Sequence, residues 1–339
     1  MEKTINSQQI KDLFSKSSDV LVRPVTINQN NITFHLFCVD GLVDSDMLDN
    51  NILKPMLFDP FIGEYKTESQ VIDYIKNRAS YETFTSVETD YDKLLKAVLS
   101  GNAAFIFDAE KKALVFDIKK FDKRSISEPN EEGTIKGAKD SFIEVVRTNT
   151  ALIRRRIRSE YLVCEHMQIG KVSKTDVVIC YISNIANMDT VAKVKDILES
   201  INIDNIPTAA FLEEYLNPNK KSLFPQIMYT QRPDRASANL SDGRIAIIVD
   251  GIPFAFILPC QLVMLMQSPE DYANHFFLGS ALRVLRYFSI AVTLLLPAFY
   301  IAATTYQNQM LPMKLALSTQ AAKANVPFSS AAEVLGMLV

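Results

Sequence analysis

The stretch ALRVLRYFSIAVTLLLPAFYIAATTYQNQMLPMK, residues 281–314, decides how the rest of the chain is read. From Tyr287 to Met313 it carries no charged side chain. Its densest part, Phe288 to Ala303, is almost wholly apolar, and Thr304 to Tyr306 extend it toward the ~20 residues that cross the hydrocarbon of a bilayer. Arg283 and Arg286 precede it, where a cytoplasmic flank carries positive charge, and Tyr287, Tyr300 and Tyr306 suit interfacial depth. Pro297 sits mid-segment, which a soluble helix resists and a membrane helix tolerates when neighbours satisfy the freed carbonyl. The competing reading is a central helix of a large soluble core. The charge-free length and the proline favour a membrane span over residues 287–306.

Working outward, composition alone hides this feature. The 339 residues are 48% hydrophobic and 22% charged, with a mean hydropathy of +0.05. That length suggests about two domains besides the span. Basic and acidic side chains number 36 and 39, for a net charge of −3, so no bulk charge argues for nucleic acid. Cys38, Cys164, Cys180 and Cys260 are scattered through apolar runs, as small hydrophobes in a reducing compartment would be. The N-terminus, MEKTINSQQIKDLFSKSSDV, lacks the apolar core of a signal peptide, so the region before the span is expected to stay cytoplasmic. At the other end, VPFSSAAEVLGMLV places Ser330 and Glu333 at capping-box spacing before an apolar helix, as at the front of a longer polytopic protein.

Before the span the chain reads as two similar halves. After a flexible leader over 1–28, a first α/β subdomain over 29–121 opens on the strand NITFHLFCVDG and continues through helices at SDMLDNNILKPMLF, capped by Asp44, at ESQVIDYIKNR and at DYDKLLKAVLSG. It closes on the hairpin NAAFIFDAEKKALVFDIKKF. A charged linker rich in Gly and Ser occupies 122–138. The second subdomain, 139–267, runs from the helix SFIEVVRTNTALIRRRIRS through strands YLVCEHMQIG and TDVVICYISNI, then helices DTVAKVKDILESIN and AAFLEEYLN. It closes on the hairpin GRIAIIVDGIPFAFILP, where Asp250-Gly251 signals a type I′ turn. AVLSGNAAFIF (97–107) and ANLSDGRIAIIV (238–249) repeat helix end, Ser, Gly and apolar strand with one inserted residue. The expectation is a pair of related α/β subdomains with mixed sheets facing each other across a cleft. An amphipathic connecting helix (268–286), the transmembrane helix (287–306) and the start of a second membrane-associated helix (307–339) follow.

Chemistry-bearing motifs are scarce. No phosphate-binding glycine loop, zinc-protease helix, nucleophile elbow or paired-cysteine motif occurs. His35, His166 and His275 lack partners at ligand spacing, so no metal or cofactor is assigned, and no catalytic residue. The charged features concentrate in two places. On the basic helix, Phe142, Val145, Val146, Leu152, Ile153 and Ile157 form an apolar stripe with Arg147, Arg154 and Arg158 opposite. Arg156 projects toward the stripe and must snorkel or meet a carboxylate. The cluster is either a solvated face favouring the helix C-terminus or, through Arg154 or Arg156, a contact for an anion or a partner subunit. In YTQRPDRAS, Asp234 can cap a helix with Arg232 and Arg235 flanking it, as a surface turn or a docking loop. Within the span, Ser289 and Thr293 offer hydroxyls to neighbouring helices, and Pro297 breaks the ladder. Ser268, Pro269 and the acids behind them start the connecting helix strongly.

The segments SFIEVVRTNTALIRRRI, GRIAIIVDGIPFAFILP, QSPEDYANHFFLGSALRVLRYFSIAVTLLLPAFYIAATTYQNQMLP and VPFSSAAEVL together resemble the A subunit of the GerA-family spore germinant receptors, closely from about Gly137 onward and loosely before it. The resemblance implies a cytoplasmic domain of two subdomains followed by several membrane helices, in the inner membrane of an endospore, acting in nutrient-triggered germination. It implies assembly with a permease-like B subunit and a lipoprotein C subunit, homo-oligomerisation in contact with membrane lipid, and an ion-conducting role without catalysis. Germinant binding is implied more for the B subunit. This chain departs from the family pattern by ending after the first span. Two function classes therefore compete: a receptor or channel subunit, and a membrane-anchored module that binds a small molecule between the two halves.

Overall fold

A computed structural model of the chain describes residues 4–79, 85–120, 132, 138–205, 208–217, 222, 224–268, 271, 275–305 and scattered positions beyond 305. The chain divides into two compact units, residues 1–262 and 263–339.

In the first unit, α1 (Ser7–Leu13) leads into β1 (Val20–Thr26) and β2 (Thr33–Val39). Short helical turns from Ser45 onward, the first capped by Asp44, lead to α2 (Glu68–Tyr74). β3 (Thr85–Glu88), α3 (Tyr91–Leu99), β4 (Ala103–Phe107) and β5 (Lys112–Phe116) complete the first half. The second half runs α4 (Val146–Arg156), β6 (Leu162–Ile169), β7 (Thr175–Ile182), α5 (Met188–Ser200), α6 (Ala209–Leu216), β8 (Met228–Thr230), α7 (Pro233–Ser241), β9 (Ile245–Val249) and β10 (Ala255–Leu258).

The internal duplication is explicit in the topology. One sheet has the order β1-β2-β4-β5-β3 and the other β6-β7-β9-β10-β8, so each strand of the first has a counterpart five labels later. The repeated Ser-Gly motif falls at equivalent places. Gly101 (φ 102°) and Gly243 (φ 85°) both end a helix in the left-handed region that a side chain disfavours, and both lead into the central strand of their sheet.

Three expectations need correction. Among the described residues every strand pairing is antiparallel, so the two sheets are not mixed. Continuous apolar strands carry no mark of their direction, and only the path of the chain between them sets it. Of the expected leader over 1–28, residues 4–28 are not free. They hold the helix and edge strand that α4 and β6 duplicate, with Ile5, Ile10 and Phe14 buried. Pro24 made that strand hard to read, yet a proline is tolerated at a sheet edge, where β1 lies. The Asp250-Gly251 turn is not type I′, because only Gly251 has positive φ.

Both faces of the first sheet are packed. One core gathers Phe34, Phe105, Phe107 and Phe116 against the turns after β2. The other sets Phe37, Ala104 and Val115 against α1 and α3, and it also takes in Ala151 of α4. The second sheet packs Tyr181, Ile247 and Phe256 against α5 and α6. Because α4 buries Leu152 and Ile153 while lending Ala151 to the first half, it joins the two cores.

The second unit is dominated by α8 (Phe276–Thr305), 30 residues that run unbroken through Pro297 and are long and apolar enough to cross a membrane. At 1.5 Å rise per residue this is about 45 Å, against ~30 Å of hydrocarbon. The expected boundary between a connecting helix and a span at residue 286 is absent: α8 starts at Phe276 and runs through that position. The proposed second membrane helix over 307–339 lies largely outside the described residues.

Candidate functional site

The basic helix starts later than its periodicity suggests. Residues 141–145 are not helical, pinned by the Phe142 N–H donating to the Gln231 carbonyl (2.8 Å) and by Asn149, whose side chain bonds both the N–H and the carbonyl of Ile143. Val145 has no capping oxygen of its own. Asp250 supplies one from the β9–β10 turn, accepting the Val146 N–H at 3.1 Å.

Arg154 is where face assignment fails most. Placed by spacing on the solvent side, it is 0% exposed. Its Nε and Nη2 each donate to Asp19 at 2.9 Å, and Nη1 donates to the carbonyls of Leu162 (3.0 Å) and Ser159 (3.3 Å). Beside this pair, the Ser18 N–H and hydroxyl both donate to the Cys164 carbonyl at 2.9 Å. Arg154 therefore joins the two halves from inside and offers nothing to a partner. The seam is closed here, not an open cleft, because α4 lies between the halves and its "outer" face meets the N-terminal segment. Gly41, with φ 79°, approaches so closely that an added Cβ would lie 3.0 Å from that of Ala151.

The other four predicted side chains come together at the C-terminal end of α4 and the start of α7. Arg156 is exposed and grips Asp140 with Nη2 at 2.6 and 2.7 Å. Arg232, only 2% exposed, donates from Nε and Nη2 to the two oxygens of Asp234 (3.0 and 2.7 Å) and from Nη1 to the Glu132 carbonyl (3.1 Å). The Glu132 carboxylate accepts from the Thr230 hydroxyl (2.5 Å), the Gln231 N–H (3.2 Å) and the Arg235 guanidinium. Asp234 does not cap α7 as expected, since the cap position belongs to Arg232 and Pro233 follows it. Burial pushes the Asp234 carboxyl up, but its bonds to Arg232, then the charges of Arg232 and Arg156, hold it below the usual carboxylate range.

In the second unit the span residues are bonded within their own helix. The hydroxyls of Ser289 and Thr293 donate to the carbonyls of Leu285 and Ser289, both at 2.8 Å, and Thr304 does the same to Tyr300. Arg286, expected as positive charge at a cytoplasmic flank, donates to both oxygens of Asp271 (2.8 and 3.1 Å) and to the Met266 carbonyl (2.7 Å). The Asp271 side chain is fully buried and holds a pKa below the usual carboxylate value, chiefly through Arg286. It also accepts the Ser268 N–H at 3.1 Å, the return bond of a capping box. Gly279 permits this fold-back, since a Cβ there would lie 2.3 Å from the Asp271 carbonyl oxygen.

Sequence reasoning missed Asp19, Glu132, Asp250, Asp271 and Gly279. Only Asp271 carried a local signal, its position three residues after Ser268. Asp19, Glu132 and Asp250 act over separations of 135, 98 and 104 positions, and Gly279 shows its role only once the chain folds back on it. Among the described residues no group of three or more His, Cys, Asp or Glu is placed to hold a metal ion. A cavity of about 190 Å³ lies between Arg23, Cys38, Asp40 and Asp49 of the first half and Arg147 of the second. The Cys38 thiol in its wall is pushed up from 9.0 to about 11 by burial and then by Asp40.

The family described as Bacillus/Clostridium GerA spore germination protein matches residues 8–339. Spore germination protein KA of Bacillus subtilis (strain 168) is 32% identical over 335 residues, 98% of this chain and 61% of that protein. Spore germination protein A1 of the same organism is 34% identical over 324 residues, 96% of this chain and 65% of that protein. The chain thus spans roughly three-fifths to two-thirds of these curated relatives. Among solved structures, the N-terminal domain of the A subunit of the Bacillus megaterium spore germinant receptor GerK3 matches with a TM-score of 0.58 and 28% identity. That match covers 77% of this chain and 98% of that one.

Proposed function

Since the chain belongs to the GerA family of spore germination proteins, we propose that it serves as an A-type subunit of a nutrient germinant receptor. In this reading the two-sheet unit stands on the cytoplasmic side of the spore inner membrane and the helix Phe276–Thr305 enters the bilayer. A permease-like B subunit and a lipoprotein C subunit complete the receptor. Several copies of the A subunit assemble around a path for ions, without a catalytic site. The observation that carries this reading is the joint one. A family match running from the N-terminal helix through the long apolar helix accompanies a fold like that of a germinant-receptor A-subunit domain.

The span then works by packing against other helices. Its small side chains favour that role, because helix association in a bilayer depends on close approach and not on hydrophobicity. The hydroxyls of Ser289 and Thr293 already bond within the helix. Ser289→Leu or Thr293→Leu therefore strands no donor and acts by bulk alone. Either change, in the whole protein in spores, is expected to abolish nutrient-triggered germination at near-normal protein level. Mutants that germinate normally would reduce the helix to an anchor.

The second reading, a membrane-anchored binding module, finds support in the cavity beside Arg147. Its volume of about 190 Å³ is below the ~300–1,000 Å³ of drug-sized sites and suits a ligand of few atoms. A saturable rise in thermal stability with an amino acid or sugar would favour it.

A further inference from the structure

Two buried thiols stand outside the receptor reading. Cys164 and Cys180 face each other directly across β6 and β7, with sulfurs 3.6 Å apart, and both residues are 0% exposed. The carbonyls of Leu162 and Cys164 point away from β7. Leu162 accepts from Arg154, and Cys164 accepts the Ser18 N–H and hydroxyl. Backbone groups alternate sides along an antiparallel strand, so Cys164 and Cys180 form a non-hydrogen-bonded pair, the closer kind, with Cα atoms ~4.5 Å apart. A disulfide accepts Cα separations of about 4.4–6.8 Å, so the sulfurs can close to ~2.0 Å by side-chain rotation, with little movement of either strand.

The pair lies against the joint between the halves. The Cys164 sulfur accepts from the Cys180 thiol and, at 3.8 Å, from Nη2 of Arg154, the same nitrogen that donates to Asp19. A guanidinium so placed favours a thiolate, but here Asp19 answers its charge. The Cys164 thiol is held well above its ordinary value by its bond with Cys180, then by burial, then by Asp19, with Arg154 opposing them. Asp19 belongs to the N-terminal segment of the first half, whereas Arg154 and both cysteines belong to the second. The reactivity of the thiols therefore depends on whether the two halves are joined.

We propose that Cys164 and Cys180 form a cross-strand disulfide when a small hydroperoxide reaches them, and that the Asp19–Arg154 pair holds this closure back. The Cys164 thiolate attacks the peroxide: an S–O bond forms, the O–O bond breaks, and the hydroxide released takes up the thiol proton as water. The Cys180 sulfur then attacks the sulfenic acid, forming the S–S bond, breaking the S–O bond and releasing a second water. Two thiols lose two electrons and two protons, and one hydrogen peroxide becomes two waters. Transient disulfides of this kind are how cysteines of a reducing compartment serve as redox sensors. The proposal does not depend on the receptor reading.

The test uses the full chain in detergent, treated with hydrogen peroxide while folded and labelled with N-ethylmaleimide after unfolding. Exhaustive treatment is expected to remove labelling at Cys164 and Cys180 together, and dithiothreitol to restore both. Cys164→Ala should leave Cys180 fully labelled. Asp19→Asn keeps the guanidinium but removes its counter-charge. It should speed closure several-fold, because a lower thiol pKa raises the thiolate fraction faster than it dulls the nucleophile. Arg154→Met loosens the same joint without leaving a cation, and should close more slowly than Asp19→Asn. Equal rates in the two variants, or linkage of Cys164 to Cys180 only after unfolding, overturn the proposal. Should Asp19→Asn not fold, the wild type decides. A linked pair with unchanged near-ultraviolet circular dichroism supports the proposal, and full labelling of both thiols after exhaustive treatment overturns it.

Discussion

Replacing Arg154 by methionine removes the charge that joins the two halves while keeping much of the volume. The change leaves Asp19, itself buried, without its two guanidinium bonds, and leaves the Leu162 carbonyl without its Arg154 donor. Breaking a buried ion pair from one side typically costs about 3–5 kcal/mol, because the remaining charge stays desolvated. At ~2–4 °C per kcal/mol for a domain of this size, the midpoint should fall by about 6–20 °C. The chain has no tryptophan, so near-ultraviolet circular dichroism of its tyrosines or calorimetry is the suitable readout. The informative comparison is Arg154→Met with Asp19→Leu. Removing both charges restores an apolar seam, so the double variant should be more stable than Arg154→Met alone, while the Ser18 bonds to Cys164 persist. A double variant whose loss equals the sum of the single losses, or an Arg154→Met midpoint near wild type, would refute the argument that the pair is a desolvated joint.

Arg156, paired with Asp140 at the surface, should tolerate Arg156→Leu within about 1 kcal/mol. Arg156→Glu sets like charges together and should cost more; equal losses in denaturant melts would contradict the pairing. Gly279→Ala should push the Asp271 backbone off α8 and speed proteolysis between residues 266 and 275, whereas an unchanged digestion pattern would show that the fold-back is loose. Asp234 and Asp271 have depressed folded-state pKa values. Their stabilisation is therefore present above the unfolded carboxylate pKa of ~3.9 and lost as pH falls through the lower folded value. An acid titration should show Asp234→Asn flattening the acid limb of the unfolding curve; superimposable limbs would argue against this linkage.

Several properties of this protein are determined locally and so were legible from the amino-acid order. The apolar runs at β2, β4, β7 and β9, the cap at Asp44, and the Ser-Gly repeat before each central strand are set within a few residues by periodicity and backbone sterics. The same holds for the long helix, whose apolar length needs no partner to be recognised.

What the tertiary structure decided is every feature in which the partner is distant. Strand direction and the membership of residues 7–26 in the first half depend on chain path. The inward turn of Arg154 depends on Asp19, 135 positions away, and Arg286 became a bonded residue only because Gly279 lets the chain fold back onto α8. An arginine on a helix shows its spacing but not its environment, and whether its charge is solvated or buried is set by what packs against that face. Helical periodicity placed Arg154 on the wrong side because α4 has two cores to serve, one from each half, and no single apolar stripe describes a helix buried on both sides.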